Sequence, residues 1–437
     1  MKPRLKLILV RLTISILLPV AISPPANAEA VPQFIIEAAI NSEEVRAAKQ
    51  ELLIKKQIIS TAHTDYFPNV SANANRGWSR ENQTTSASTP KTTEITNPQS
   101  YSINIDQNIW DGGKTKISKE IAKLNYEAEK YLYLEKIQNK IINLVELNSK
   151  IINLEQRLYY LDQNIKVLEY NLKSSRIRYK LGEISKTDVY KSEARISAVK
   201  SDSIGTQTEL NVELENYKNE FDKPYTETIL IQPLKLENYT EAHTIKNNYE
   251  LIAARFSEKA LIQTYEKQKK SNWPTITANA ELKNSKEQIN KQSESSEFVA
   301  QLKFKIPLYD GGKNKSETKQ RKLEINKYKK TYNLKIKKIK QTLLSTHGEY
   351  MSATQRSKSI RREIEFAQIA LKATRKEVEV GTKSITDMLD SEKSLLDAKL
   401  KLLNEEEKIV LSTYKNKSLV GGLLDPTAKT LVLTINR

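Results

Sequence analysis

Two long stretches of the chain carry apolar residues at a spacing of four and three. In residues 114–181 they fall at 117, 121, 124, 128 and 131, then at 154, 158, 161, 165, 168 and 172. Residues 313–380 show the same spacing at 332, 336, 339 and 343, then at 360, 364, 367, 371, 374 and 378, with Thr374 in one of the apolar places. This is the seam of a helix that packs lengthwise on another helix. The middle of the first stretch, around Leu134 to Leu147, is less regular. Neither stretch contains proline, so each reads as one helix of about 68 residues, roughly 100 Å at 1.5 Å per residue. A compact domain has no use for such a helix, since the average is about 11–12 residues. Each ends at a glycine, Gly182 or Gly381, placed as a helix-terminating residue. Ser185-x-x-Asp188 and Ser384-x-x-Asp387 follow and read as capping boxes with Asp for Glu. The chain therefore turns sharply and returns as a second helix, over about 185–222 and 384–419.

Ahead of each long helix the period changes to two. Val70, Ala72 and Ala74 alternate with polar neighbours, as do Tyr101, Ile103 and Ile105. Ile276, Ala278, Ala280 and Leu282 form a third series, and Phe298, Ala300, Leu302, Phe304 and Ile306 a fourth. These predict four strands, over about 66–80, 98–110, 273–285 and 296–308, each with one apolar and one polar face. Polar loops, 82–97 and 285–296, link the members of each pair.

The halves repeat each other. Trp110-Asp111-Gly112-Gly113-Lys114 is matched 199 residues later by Tyr309-Asp310-Gly311-Gly312-Lys313. Gly182, Thr187-Asp188 and Ser192-Glu193 are matched by Gly381, Thr386-Asp387 and Ser391-Glu392 at the same offset of 199. Tyr66–Ala74 resembles Asn272–Ala280 at an offset of 206. Such agreement marks an internal duplication. The organisation is then a segment 29–64 with a helix, a first repeat 65–222, a linker 223–245, a second repeat 246–421 opening on a helix over about 246–270, and a tail 422–437.

Residues 1–28 read as a secretory signal, with Lys2, Arg4, Lys6 and Arg11 giving a positive start, an apolar run from Leu7 to Ile22 that Arg11 interrupts, and Ala26-Asn27-Ala28 as the cleavage site. No other stretch could be a transmembrane helix. Export changes how the composition is read. The 437 residues carry a formal charge of +18, which suggests nucleic acid. Four of those charges leave with the signal, and the remainder is spread along the chain, so no nucleic-acid partner is expected. Cysteine is absent, which excludes disulfides, thiolate metal sites, a catalytic thiol and a lipid-anchoring cysteine. His63, His243 and His347 are scattered and form no metal cluster. No catalytic set or phosphate loop is visible, so the chain reads as no enzyme, with no cofactor and no metal. Lys335, Lys337, Lys338 and Lys340 read as a solvated helix face, or more sharply as a lumen patch for anionic cargo.

Alternating strands on an exported chain suit an outer-membrane barrel. Four strands cannot close one, so several chains are required. A secreted structural coiled-coil protein is the alternative; it explains the heptads but not the strands or the duplication.

The signal, the two repeats, the paired Asp-Gly-Gly junctions (Asp111-Gly112-Gly113 and Asp310-Gly311-Gly312) and the tips with Thr187-Asp188 and Thr386-Asp387 resemble the TolC-type outer membrane efflux proteins along essentially the whole mature chain. The resemblance implies a homotrimer with a twelve-strand β-barrel in the outer membrane, four strands per chain, continued by a long α-helical barrel across the periplasm. It implies a passive exit duct for efflux or type I secretion, in contact with outer-membrane lipid. Its implied partners are a periplasmic adaptor and an inner-membrane pump of ABC or RND type.

The tips are the candidate site. Asp387 and Asp390 stand three apart and share a helix face. In a trimer they would ring the entrance with carboxylates that select or bind cations. Acids in a first helical turn also favour the helix dipole, a plainer account of Asp387 and Asp188. The resemblance further implies a polar link between hairpins from a basic residue two positions past the glycine. Lys383 holds that position, with Asp188 as a plausible partner. An aromatic link residue found in some members is replaced by Val378. Gly182 and Gly381, with Ser185, Thr187, Ser384 and Thr386, would form the turns and the adaptor-docking surface. Trp110 and Tyr309 fall at the barrel rim, where interfacial aromatics are favoured.

Overall fold

A computed structural model of the protein describes residues 30–83, 92–226, 229–288, 293–426 and 429–430. The signal at 1–28 lies outside the described residues. The fold is mostly helical, with a small antiparallel sheet. No helix among the described residues is long and apolar enough to cross a membrane.

The elements run α1 (Gln33–Asn41), α2 (Glu43–Thr64), β1 (Asn69–Arg76), β2 (Ser79–Gln83), β3 (Thr92–Trp110), α3 (Lys114–Lys180) and α4 (Lys186–Phe221) in the first half. The second half runs α5 (Glu241–Asn247), α6 (Tyr249–Lys269), β4 (Thr275–Gln288), β5 (Ser293–Lys305), α7 (Lys313–Glu379) and α8 (Ile385–Ser418). Both α3 and α7 have 67 residues. Both start on a left-handed glycine, Gly113 at φ +80° and Gly312 at φ +82°.

The loops expected at 82–97 and 285–296 are shorter, since β2 runs to Gln83, β3 starts at Thr92, β4 runs to Gln288 and β5 starts at Ser293 and ends at Lys305. Three expected elements are also divided. The first strand, expected over 66–80, is two, because Pro98 opposite the break has no N–H to donate; its carbonyl accepts instead from Gly77, at 3.1 Å. The expected helix at 29–64 breaks at Ser42, whose hydroxyl caps α2 by accepting from Val45 N–H. The helix expected at 246–270 breaks at Asn248, whose Oδ1 accepts from Leu251 N–H at 3.1 Å. The linker also contains α5 and two core residues, Ile231 and Leu234.

The strand order across the sheet is β1-β3-β4-β5, with β2 pairing on β3 beyond β1. The register puts Val70, Ile105, Ala280 and Ala300 in one row, and Ala72, Ile103, Leu282 and Phe298 in the next. Asn69, Asp106, Asn279 and Gln301 form a row of the opposite face. There Gln301 donates to Asn279 at 3.2 Å and Asn279 to Asp106 at 2.9 Å, so the polar face carries a hydrogen-bonded chain across three strands. The apolar side chains Val70, Tyr101, Ile103, Leu282, Phe298 and Leu302 are exposed.

The main core lies midway along the helices. Ile35, Leu52, Ile137, Ile141, Leu144, Leu234, Tyr414 and Leu424 are almost fully buried there. This accounts for the irregular middle of the α3 pattern. At that level α3 is covered by α1, α2, the linker and α8, so it is apolar around more of its circumference than a two-helix seam requires. A second cluster near the far end joins the hairpins through Leu161, Leu168, Ile196, Val199, Met388, Leu389 and Leu396.

Candidate functional site

Both hairpin tips are built from the same local bonds. Gly182 and Gly381 sit at φ +77° and +78°, with open space around the position a Cβ would take. Each closes a Schellman motif. Glu183 N–H donates to Arg178 C=O and Gly182 N–H to Tyr179 C=O, at 2.9 and 3.0 Å. Thr382 N–H donates to Glu377 C=O and Gly381 N–H to Val378 C=O, at 2.9 and 3.3 Å. Asp188 and Asp387 then complete capping boxes. The Oδ2 of each accepts from the hydroxyl of Ser185 or Ser384 at 2.7 Å, and from its backbone N–H.

The hydrogen bond from the Ser384 hydroxyl, joined by its backbone N–H and the nearby Lys383 and Lys191, holds the Asp387 carboxyl below its ordinary range. Asp390 is exposed on the same face, beside the buried Met388 and Leu389. It makes no ion pair among the described residues. Thr187 and Thr386 lie in the first turns, and Thr386 accepts from Lys191 of the other hairpin at 3.4 Å.

Lys383 and Asp188 are not brought together within one chain. Lys383 pairs with Glu377 at 2.9 Å, and that hydrogen bond raises its pKa. Asp188 is held by Ser185. Further links between the hairpins within the chain use Arg178 and Asn171, which the pattern did not single out. Arg178 donates to Val378 C=O at 3.2 Å and pairs with Glu183 at 3.0 Å. Glu392 of α8, 3% exposed, accepts from Asn171 of α3 at 2.9 Å and from Arg375 at 3.3 Å. Burial pushes its carboxyl up, and Oε2 has no partner. The sequence held a signal for this pair, since Arg176–Glu193 forms the matching ion pair, at 2.7 Å, 199 residues earlier.

At the opposite end, Asp111 accepts from Thr115 N–H at 2.6 Å, and Asp310 accepts from Asn314 N–H at 2.9 Å. Trp110 stacks on Trp273, ring centres 6.3 Å apart. Gly112 packs on that same ring, and Lys270 lies over it while donating to Gly112 C=O at 3.0 Å. Among the described residues nothing lies within 4 Å of the Cβ position at Gly311, and Tyr309 is exposed. The basic run is partly engaged rather than a free solvated face. Lys335 pairs with Glu250 at 2.7 Å, and Lys340 pairs with Glu241. The histidines are apart, His63 against Tyr66 and Phe67, and His243 on Tyr239.

The chain thus joins one amphipathic strand sheet to two long helical hairpins. The family described as outer membrane efflux protein matches residues 34–216 and 242–413. The chain belongs to that family. Outer membrane protein TolC of Vibrio cholerae is 19% identical over 409 residues, covering 91% of each chain. Outer membrane efflux protein BepC of Brucella suis is 20% identical, covering 91% of this chain and 86% of its own. Among solved structures, the channel CusC superposes with a TM-score of 0.77 at 16% identity, covering 92% of this chain and 96% of its own. This outer membrane efflux protein is thus an exit duct of an efflux or secretion system, placed in the outer membrane and reaching into the periplasm. Its family is one of channels.

Proposed function

We propose that three copies of this chain form one continuous passage, a twelve-strand barrel above and a helical tube of hairpins below. The observation that carries this reading is an imbalance between the two halves. α8 packs on α3 as well as α7 and buries Leu389 and Leu411, at 5 and 9% exposure. The matching positions of α4, 199 residues earlier, are Tyr190 and Val212, both 55% exposed. Large apolar side chains on the free face of α4 call for a partner, and the duplication supplies one in α7 of the next copy. α7 itself offers the exposed Leu344, Met351, Phe366 and Ile369.

The open strand edges support the same conclusion, because unpaired backbone groups cannot face lipid. In this arrangement Asp387 and Asp390 bring two carboxylates per chain to the entrance. Lys383 and Asp188 would meet only between chains. The exposed tips around Gly182, Gly381, Ser185 and Ser384 would receive a periplasmic adaptor, which couples the duct to an inner-membrane pump. The passage does no chemistry in this reading and needs no cofactor.

The test is reconstitution. Protein extracted from outer membranes should have the mass of a trimer, and in planar bilayers it should conduct in discrete steps. A monomer that leaves the bilayer impermeable would refute the duct and restore the coiled-coil alternative.

A further inference from the structure

The sheet of one chain is open at β1 on one side and β5 on the other. Its inner pair, β3 with β4, is where the first half meets the second. Both inner strands have a counterpart on an open edge. Tyr309, past the end of β5, follows Trp110 of β3 by 199 residues, and Trp273, before β4, follows Phe67, before β1, by 206.

We propose that β5 of one copy pairs with β1 of the next in the register that β3 and β4 use, so that Tyr309 stacks on Phe67 of the next copy. This inference rests on the trimeric reading above and gives its barrel seam a residue-level register. In the inner pair Asp106 faces Asn279, Ile105 faces Ala280 and Trp110 faces Ile276. Carried over by the two offsets, Lys305 faces Asn73 of the next copy, Phe304 faces its Ala74, and Tyr309 faces its Val70. Phe304 with Ala74, Ile306 with Ala72 and Tyr309 with Val70 are apolar pairs that a one-residue slip would break, while Leu302 falls opposite Arg76.

Three features of the single chain fit this seam. β3 stays in the ladder to Trp110 because β4 accompanies it, whereas the β5 ladder stops at Lys305. Just beyond it, Leu308 and Tyr309 are 91 and 87% exposed. Second, the register shifts between Asn108 and Trp110, and Pro307 takes the place of Asn108. A proline without an N–H is tolerated beside such an irregularity. Third, Gly112 has Trp273 3.0 Å from the position of a Cβ, while Gly311, at a similar φ of +68°, has nothing within 4 Å. The empty place at Gly311 corresponds to the ring of Phe67 from the next copy.

The chain has no cysteine of its own, so introduced pairs report alone. Directly opposed residues fall within disulfide reach, whereas diagonal ones, about 7–8 Å apart, do not. Full-length protein in outer membranes would carry Asn73→Cys with Lys305→Cys. Mild oxidation should convert it mainly to a covalent trimer that reductant dissolves. Ser71→Cys or Asn75→Cys, each combined with Lys305→Cys, should stay at the unoxidised background. Tyr309→Phe should preserve the heat resistance of the trimer and Tyr309→Ala should lower it. Native mass of the unoxidised samples separates the two levels of the argument. A trimer that crosslinks through Ser71 or Asn75 instead overturns the register and leaves the assembly standing; a monomer overturns both.

Discussion

Arg178, one turn before the first hairpin tip, donates a hydrogen bond to the backbone carbonyl of Val378, one turn before the second, at 3.2 Å. The same guanidinium pairs with Glu183 at 3.0 Å, so it ties its own tip and its neighbour together. The duplication does not repeat this tie. The residue 199 positions on is Glu377, which pairs with Lys383. Arg178→Ala should therefore loosen the tips within each chain, by about 1–2 kcal/mol for a charged hydrogen bond that is partly solvated. Faster amide exchange at residues 376–383 and a larger single-channel conductance are the expected signs. Unchanged exchange would mean that the tie carries no constraint.

The carboxylates on α8 should set the passage of cations. Asp390→Asn leaves the capping box intact, and its expected effect is weaker block by divalent cations in planar bilayers. The double variant with Asp387→Asn should relieve the block further. Because the Ser384 hydrogen bond holds the Asp387 carboxyl low, block should persist into mildly acid solution and fade only as the pH drops below the usual carboxylate range. Block that is identical in wild type and double variant would remove these residues from the conduction path.

Turn glycines should differ in cost according to what surrounds them. Gly381→Ala meets open space and carries only the left-handed strain, about 1–2 kcal/mol. Gly421 is also left-handed, at φ +67°, but a Cβ there would lie 2.7 Å from the ring of Tyr249. That ring is buried and donates its hydroxyl proton to Gly421 C=O at 3.1 Å. Gly421→Ala should accordingly lower the unfolding midpoint more than Gly381→Ala, as read by chemical denaturation.

A pH response should come from the middle of the helices. Burial, with Glu250 nearby, raises the pKa of Glu135 from 4.5 to about 7. Lys335 opposes the shift without cancelling it. A carboxyl raised on folding binds its proton more tightly in the folded state. Its contribution to stability is complete below about 4.5 and is lost as the pH rises through about 7. The melting temperature should thus gain from acidification between pH 8 and pH 5, and Glu135→Gln should flatten that slope. An equal slope in the variant would assign the response to other groups, such as the half-buried Glu406 and Glu407, whose carboxyls burial also pushes up.

The sequence by itself determined the long helices, the turns and the faces of the strands. These are local matters, settled by periodicity, by glycine at positive φ and by a serine three residues before an aspartate. The offset of 199 was legible too, in Asp111, Gly182 and Ser192 and their partners. The breaks at Ser42 and Asn248 were not, since a polar residue inside a helical pattern caps a helix only if packing bends the chain there. Tertiary structure alone decided which side chains meet across the hairpins. Arg178 and Val378, or Asn171 and Glu392, are about two hundred residues apart, and no local pattern fixes how one helix is rotated against another. It also decided which face is left over. α4 and α8 read alike, yet only the packed chain leaves Tyr190 and Val212 uncovered where Leu389 and Leu411 are buried, because a single chain supplies α3 against the face of α8 and no such partner for the face of α4.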